Sequence, residues 1–407
     1  MAHVLPATQA DGLTDLTLLR ELTGEAHRWL RQQAWPRWLE HGIDRNAGGF
    51  HEHLSLDQCA CAADYRRLRV VTRQIIAFSA AAAAAVLGAA EAVRMGCQFL
   101  RSRAKLPEGG YAWRFNLLGL PVNFTRDLYD HAFVLLAWSN AAPWLPPGEA
   151  LAEALEVDHF LQTQLRHPAG GYAESLPGSE PRRQNPHMHL LEAYLHAAEH
   201  LGDPRFCDRA EELVELFLGR LFQPREGALP EFFDDDLAPL RAGGRFMAEP
   251  GHHAEWIWLL TWYRGLAARF DLTVPDLLDD VINALTKFLR QEACYTPNGA
   301  LVDEVWSNGS LRQGTARLWP QTERLKSAVL SPDAKPLELI TALAVVKTFI
   351  AGAPSGLWHE RWTPDHGFLA VPAAASSLYH LTGGILLADR AMAPNVGSTA
   401  WILKVSF

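Results

Sequence analysis

Residues 249–256 hold the densest group of chemically active side chains in the chain, with two histidines and two carboxylates directly before an apolar run. Pro250 and Gly251 interrupt the preceding segment, so the histidines should open a helix. On a first helical turn, His252 and Glu255 share a face and can act on one ligand. A single histidine is more often structural, but this grouping favours a functional one. Because histidine titrates near neutral pH, the group predicts acid/base chemistry.

A second group, residues 182–192, combines arginines, Asn185, His187 and His189 ahead of another apolar run. Asn185 precedes a proline, which is typical of a helix N-cap. A capping role for Asn185 is compatible with a functional role for His189, so we expect Asn185 to cap the helix while His189 points inward.

Arg73 lies within the apolar residues 70–78, where a guanidinium needs an anion or a polar ligand. Further polar and aromatic groups stand at predicted helix starts. The groups are residues 127–131, 317–323 and 376–380. Within the first group, Asp130 and His131 are better explained as a buried structural pair.

Two rival chemistries remain open. His187, His189 and His252 could hold a divalent metal, although a two-residue spacing at a helix start makes shared ligation awkward. A glycosidase would need opposed carboxylates. Glu231 with residues 234–236, or Asp303 with Glu304, could supply them. The sequence has no P-loop, dinucleotide fingerprint or His-Glu-x-x-His motif.

The elements that position these groups come from a repeat. A glycine-led turn followed by an apolar residue recurs six times at spacings of 61, 61, 57, 72 and 68 residues. The turns are Gly48-Gly49-Phe50, Gly109-Gly110-Tyr111, Gly170-Gly171-Tyr172, Gly227-Ala228-Leu229, Gly299-Ala300-Leu301 and Gly367-Phe368.

Two helix-like apolar patterns fit between successive turns. They include residues 128–138, 151–161, 189–201, 205–221, 254–270, 276–289, 315–330 and 337–351. Strand signals are confined to short hairpins beside the turns. Six helical hairpins can close into a ring without special end caps. We therefore predict an all-α fold, an (α/α)6 barrel forming one domain over residues 1–407, with the polar groups facing a central cleft.

Composition narrows the function further. The chain has 407 residues, is 48% hydrophobic and carries a formal charge of −9, which argues against nucleic-acid binding. The alanine-rich residues 75–90 suit a packed helix better than a membrane span, and residues 1–12 lack a secretory pattern. Five scattered cysteines give no disulfide framework. We expect a soluble, cytoplasmic protein.

Five motifs, in order along nearly the whole chain, make it resemble the N-acylglucosamine 2-epimerase superfamily, which includes mannose isomerases and cellobiose 2-epimerases. The motifs are Val-Val-Thr-Arg-Gln ending at residue 74, Asn-Pro-His-Met-His-Leu-Leu-Glu-Ala (185–193), Pro-Gly-His-His-Ala-Glu-Trp (250–256), Leu-Trp-Pro-Gln-Thr-Glu (318–323) and Leu-Tyr-His (378–380). Residue 69 is an arginine where relatives often carry an aromatic residue near the substrate.

The resemblance implies His252 and His380 as the catalytic acid/base pair, with no metal and no redox cofactor. It also implies that the sugar is bound by Arg73, Tyr111, Asn185, His189, Glu255, Trp319 and Gln321. Of these, we expect Arg73 and His189 to donate hydrogen bonds to the oxygens of an enediolate.

The resulting hypothesis is an isomerase of free D-mannose and D-fructose that works through a cis-enediolate. A 2-epimerase of mannose, glucose or a related disaccharide is the alternative, and a non-catalytic sugar-binding or partner-binding scaffold is a third possibility. The expected partner is a small monosaccharide, and the expected state is a monomer or homodimer.

Overall fold

The computed structural model describes residues 7–331 and 335–392. The rest of the predicted 1–407 domain, including residues 1–6, lies outside them. The helices are α1 (Ala7–Trp29), α2 (Trp35–His41), α3 (Leu68–Ala83), α4 (Ala89–Phe99), α5 (Leu128–Ala141), α6 (Glu149–Phe160), α7 (Gln184–Leu201), α8 (Pro204–Leu216), α9 (Pro250–Phe270), α10 (Leu278–Leu289), α11 (Leu318–Leu330), α12 (Pro336–Ile350) and α13 (Ser377–Ala391).

Shorter helical turns join or extend some of these elements. A π-helical turn joins α1 to α2, three more extend α4, α6 and α8, and two 3₁₀ turns follow α5 and α10. The π-helical turns are Leu30–Ala34, Leu100–Ala104, Leu161–Leu165 and Phe217–Leu221, and the 3₁₀ turns are Ala142–Trp144 and Glu292–Cys294.

Alternate helices form an inner ring. α3, α5, α7, α9, α11 and α13 each pack against the next, and α13 returns to pack against α3. Outside them, α4, α6, α8, α10 and α12 each cover the inner helix that precedes them, while α1 covers α12 and α13. The predicted (α/α)6 barrel is confirmed.

Short antiparallel strand pairs join successive repeats at the end of the ring where the inner helices begin. The strands are β1 (His53–Leu54), β2 (Tyr65–Arg67), β3 (Arg114–Asn116), β4 (Pro121–Asn123), β5 (Arg126–Asp127), β6 (Ser175–Leu176), β7 (Arg182–Arg183), β8 (Phe232–Phe233), β9 (Met247–Ala248), β10 (Glu304–Trp306), β11 (Leu311–Gln313), β12 (Ala316–Arg317), β13 (Arg361–Thr363), β14 (Gly367–Phe368) and β15 (Ala373–Ala374). The strand before each inner helix pairs with a strand of the next repeat: β2 with β3, β5 with β6, β7 with β8, β9 with β10, and β12 with β13. The last repeat reaches the first through β15 and β1.

Two helices begin later than the apolar pattern predicts, and a strand accounts for the first of them. The pattern over residues 315–330 predicts a helix from residue 315, but Ala316 and Arg317 pair with β13, so α11 begins at Leu318. The pattern over 276–289 likewise starts two residues early, because α10 begins at Leu278. Among the described residues, no helix combines the length and apolar character needed to cross a membrane.

Side chains at the fourth position of four inner helices tie each helix to a glycine turn. His131 of α5 shows the arrangement: Nδ1 lies 2.8 Å from the carbonyl oxygen of Asp127, and Nε2 accepts a hydrogen bond from the backbone N–H of Tyr111 at 3.0 Å. The same pair of backbone contacts recurs at His187, His253 and Gln321. We call these four side chains the locking residues.

In two of the four turns, the locking residue explains the glycine that precedes the bonded N–H, whereas Ala228 and Ala300 stand at that position in the turns bound by His253 and Gln321. Gly110 and Gly171 have φ angles of 72° and 65°, a region that side chains other than glycine rarely adopt. A Cβ atom at Gly110 would lie 2.9 Å from Nε2 of His131, and one at Gly171 would lie 2.7 Å from Nε2 of His187. These two turns are therefore fixed by both backbone conformation and the ring packed against them.

Candidate functional site

A cavity of about 160 Å³ opens where the inner helices begin. Side chains from all six inner helices line it, together with Glu249 and Arg317 from just before α9 and α11. The lining residues are Arg73, Tyr129, Asn185, His189, Glu249, His252, Glu255, Arg317, Trp319 and His380. Charged and aromatic groups from the whole ring therefore converge on one volume.

Seven of the nine residues predicted for the site line this cavity, and Tyr111 and Gln321 do not. Tyr111 is buried beside the glycine turn, where its backbone N–H bonds to His131. The Gln321 amide is fully buried and bonds to the backbone of Leu301 and Arg317. Both residues hold the scaffold, so we leave them out of the site.

His252 stands between a carboxylate and an amide. Its Nδ1 lies 2.9 Å from Oε2 of Glu231 and 3.8 Å from Oε2 of Glu249. Its Nε2 lies 3.2 Å from the side-chain nitrogen of Asn185. Burial favours the neutral ring, but the two carboxylates outweigh burial and raise the pKa of His252 above its usual value. The ring is therefore suited to hold a proton at neutral pH.

The surroundings of His380 lower its pKa, whereas those of His252 raise it. Nδ1 of His380 is 2.8 Å from Oε1 of Glu323. Burial dominates and lowers the pKa of His380 to about 4, with Arg73 and Lys326 acting in the same direction against Glu323. Because Nδ1 faces a carboxylate it carries the hydrogen, which leaves the Nε2 lone pair free to accept a proton.

Trp319 separates these two histidines. Its ring centroid lies 4.9 Å from that of His252 and 5.8 Å from that of His380. The half-buried indole presents a flat apolar surface between an acid and a base, which suits the C–H face of a sugar.

His189 corrects one expectation. Nδ1 is 3.0 Å from Oε2 of Glu192, and burial lowers the pKa of His189 to about 4. The neutral ring therefore places its hydrogen on Nδ1, so Nε2 can only accept a hydrogen bond. His189 cannot donate to an enediolate oxygen in this state.

Arg73 is the candidate donor that remains. Its guanidinium is almost fully buried, lies 4.3 Å from the ring centroid of Phe133, and donates a hydrogen bond to the hydroxyl of Tyr129. Within the described residues it forms no ion pair with a carboxylate. A buried guanidinium with donors to spare matches the expectation of a polar ligand at this position.

Asn185 does not cap α7, contrary to the sequence-based expectation. The helix begins one residue earlier, at Gln184, and the residue before it makes no side-chain capping bond. Asn185 instead turns into the cavity towards His252. Pro186 fits within the first helical turn, where a backbone N–H has no partner inside the helix.

Glu255 is fully buried in the cavity wall, and neither of its oxygens has a hydrogen-bond partner among the described residues. Burial raises the pKa of Glu255 well above its usual value, and the nearby Glu323 and Glu192 carboxylates add to that rise. Lys326 and Arg73 oppose it without reversing it. These surroundings favour the neutral carboxylic acid form of Glu255 over the carboxylate.

Two residues that support the site, Lys326 and Trp258, lie outside the groups that the sequence singled out, and the partners of Glu192 and Glu323 were not predicted. Lys326 is buried, 2.6 Å from Oε2 of Glu323. Glu323 also accepts a bond from the indole of Trp258, and Glu192 accepts one from Tyr379. A buried lysine three residues after a glutamate is a detectable helical pair, whereas the partners on other helices are not readable from spacing.

The two rival chemistries receive little support. Glu231 contacts His252 and Gln184 instead of an opposed carboxylate. Residues 234–236 are exposed, Asp303 pairs with Arg317, and Glu304 pairs with Arg312. For a metal shared by the predicted histidines, His187 is unsuitable because both ring nitrogens bond to backbone.

Two other groups bring three ligand-type atoms within 4.8 Å: His189, Glu192 and Glu255, and Glu231, Glu249 and His252. In the first, Glu192 already accepts hydrogen bonds from a histidine and a tyrosine. In the second, Arg317 pairs with Glu249 at 2.7 Å. A cation would compete with these donors, so both groups are better described as hydrogen-bond networks.

Asp130 and His131 hold the scaffold, as the sequence suggests. Asp130 is buried and accepts bonds from Arg69 at 3.2 and 3.3 Å. The Arg69 guanidinium lies 4.9 Å from the ring centroid of Tyr129. Arg69 thus supports a tyrosine of the cavity wall.

A closed ring of helix pairs around a pocket of histidines and glutamates defines an (α/α)6-barrel enzyme. The model of the N-acylglucosamine 2-epimerase (GlcNAc 2-epimerase) family matches residues 48–384, and the chain belongs to this family. A mannose-6-phosphate isomerase of Rhizobium meliloti (strain 1021) is 32% identical over 371 residues, which cover 88% of this chain and 94% of that protein.

Solved structures show the same fold. The cellobiose 2-epimerase of Spirochaeta thermophila DSM 6192 has a TM-score of 0.80 at 22% identity, covering 92% of this chain and 97% of that one. A D-mannose isomerase has a TM-score of 0.75 at 22% identity, covering 95% and 99%. The chain is a sugar isomerase or epimerase that acts on small carbohydrates.

Proposed function

We propose that this enzyme interconverts free D-mannose and D-fructose through a cis-enediolate, without a metal, as a single catalytic domain. The observation that carries the proposal is the pair of cavity histidines on either side of Trp319 whose pKa values move in opposite directions. Two titratable groups displaced in this way divide into an acid and a base.

His380 is the proposed base. It is neutral at working pH, and the carboxylate of Glu323 fixes its tautomer so that Nε2 accepts the proton from C2. Returning that proton to C1 gives the ketose. A positioned general base of this kind contributes about 10²–10⁴-fold to a rate.

His252 is the proposed acid. Glu231 and Glu249 favour its protonated form, which can donate to the ring oxygen as the pyranose opens. When the Asn185 amide is turned so that its oxygen faces Nε2, that oxygen accepts a hydrogen bond from the protonated ring, and Trp319 packs beside the same ring. These contacts orient the acid before the sugar arrives, which lowers the cost of reaching the reactive geometry.

The charges at the cavity mouth favour an unphosphorylated sugar. Four arginines stand at or just before the starts of inner helices, and each donates to a carboxylate at 2.6–3.2 Å. The pairs are Arg67–Glu52, Arg69–Asp130, Arg183–Glu174 and Arg317–Asp303. Since these four charges are already balanced, they offer no uncompensated site for a phosphate, and Arg73, which has no such partner among the described residues, is assigned to the oxygens of the reacting carbons. We expect a higher kcat/KM for mannose than for mannose 6-phosphate, and the reverse order would contradict this assignment.

A 2-epimerase is the second candidate because two histidines flanking a flat ring could also act on opposite faces of C2. Incubating D-mannose with the enzyme in heavy water and following products by NMR separates the two reactions. We expect fructose labelled with deuterium at C1. Glucose labelled at C2, formed without fructose, would establish the epimerase instead.

A further inference from the structure

We propose that Glu255, as a neutral carboxylic acid, carries the proton between O1 and O2 of the open-chain sugar. This inference rests on the proposed function and adds a third proton-transfer group to it. Isomerisation needs such a group, because the oxygen at C1 gains a proton while the oxygen at C2 loses one. Epimerisation at C2 needs no net transfer between the oxygens.

The charges around Glu255 account for its protonation. Three carboxylates from neighbouring inner helices meet beneath the cavity: Glu192 of α7, Glu255 of α9 and Glu323 of α11. Lys326 and Arg73 are the cations that face them, while His189 and His380 are neutral. With all three carboxylates ionised, this buried group would carry an excess negative charge, whereas one proton balances it.

Hydrogen bonding selects which carboxylate holds the proton. Glu323 accepts from His380 and from Trp258 and pairs with Lys326. Glu192 accepts from His189 and Tyr379. Glu255 has no hydrogen-bond donor within the described residues, although Nδ1 of His189 approaches to 3.6 Å. The proton therefore resides on the carboxyl without donors, and that carboxyl faces the cavity.

The oxygens of an enediolate in this cavity would need hydrogen-bond donors. His189 and His380 present acceptor nitrogens, so the oxygens of the enediolate must find donors elsewhere in the wall. Arg73 can donate but keeps its protons, because a guanidinium is not deprotonated in proteins. Tyr129 and Asn185 also line the wall, but burial raises the pKa of the Tyr129 hydroxyl above its usual value and an amide does not release a proton. Glu255 is the wall residue near these acceptors that can both give up a proton and take one.

The proposed step balances. His380 removes the proton from C2, the C1–C2 double bond forms, and one Glu255 oxygen gives its proton to O1. The other Glu255 oxygen then takes the proton from O2 as the C2 carbonyl forms. His380 returns its proton to C1, so both residues regain their starting protonation and mannose becomes fructose.

Glu255→Gln tests the step, since an amide donates a hydrogen bond but cannot relay a proton. In heavy water we expect fructose formation to fall by about 10²-fold while deuterium exchange at C2 of mannose falls much less. The exchange-to-ketose ratio should therefore rise. An unchanged ratio, or ketose formation at the wild-type rate, would overturn the proposal.

Infrared spectroscopy provides a readout that does not depend on turnover. The wild-type enzyme should show the carbonyl stretch of a buried protonated carboxyl, which Glu255→Gln removes and which Glu174→Gln, at a buried carboxylate outside this group, retains. Absence of that band from the wild type would overturn the proposal. Failure of the wild type to make fructose would instead refute the proposed function, with the infrared result still interpretable. Helical circular dichroism verifies that both variants fold.

Discussion

His252 and His253 are consecutive residues of one helix, yet their environments are opposite. His253 extends towards a glycine turn and bonds to two backbone groups, whereas His252 enters the cavity and meets two carboxylates. Burial lowers the pKa of His253 to about 4, while the carboxylates raise that of His252. In this helix, the histidine that bonds to backbone groups has a structural role, and the histidine that faces carboxylates is suited to proton transfer.

The same contrast occurs in α7. His187 is a locking residue, and two positions later His189 lines the cavity with Glu192 on its Nδ1. A helix turns by about 100° per residue, so a shift of one or two positions is enough to redirect a side chain. The repeat thus supplies histidines to both roles from the same helical turn.

The largest expected effect is on catalysis by the cavity histidines. Replacing His252 or His380 with alanine should lower kcat/KM for mannose by about 10³-fold, since each removes a proton-transfer group. Helical circular dichroism should stay unchanged because neither ring bonds to the backbone of a turn. Substantial turnover by either variant would mean that the acid/base pair is misassigned.

Loss of a locking residue should affect stability instead. His253→Ala leaves the backbone N–H of Leu229 buried without a partner, which should cost about 1–3 kcal/mol in the free energy of unfolding. His253→Gln should recover much of this, because Gln321 makes the equivalent bonds in α11. Denaturant titrations measure both. Equal stability of wild type and His253→Ala would remove the distinction between the two sets of histidines.

The Glu231–His252 contact should set the basic limb of the pH profile. The raised folded pKa extends the protonated form of His252 to higher pH than an ordinary histidine, and activity is lost as pH rises through that pKa. Glu231→Gln removes the largest opposing charge, so the limb should move to lower pH. The matched control is Glu174→Gln: Glu174 occupies the equivalent repeat position but pairs with Arg183. A limb that stays in place in Glu231→Gln would show that another group controls it.

The smallest expected effect is that of a chelator. The donor atoms of both candidate ligand groups are largely engaged by cations and hydrogen-bond donors, so EDTA should leave kcat and KM within assay error. Loss of activity that is restored by one added divalent metal would contradict a metal-free mechanism.

The sequence predicted the barrel because apolar periodicity and the glycine turns are local signals that repeat. It also found most of the cavity, since residues in the first turns of the inner helices must converge once the ring closes. The strand partners could not be predicted in the same way. Each pairing joins strands from adjacent repeats. The pairing that closes the ring joins β1 to β15, two strands more than 300 residues apart in the sequence.

The roles of individual side chains were harder to predict than their neighbourhood. Gln321 lies within a recognised motif, but the motif does not show that its amide bonds to backbone. The direction of its side chain depends on the residue at which α11 begins. Glu231 was noticed only as a possible glycosidase acid, since its partner His252 lies 21 residues further along. The Nδ1 partners of His189 and His380, which fix their tautomers, require side-chain positions that spacing does not supply.

The β15–β1 pairing has a consequence for how the molecule loses its structure. In an open stack of helix pairs, each end has one neighbour and can fray while the middle persists. Here every repeat has two neighbours, so losing any one of them removes two interfaces at once. Unfolding should consequently be cooperative around the whole circumference, with the acid/base pocket present only while the ring is intact.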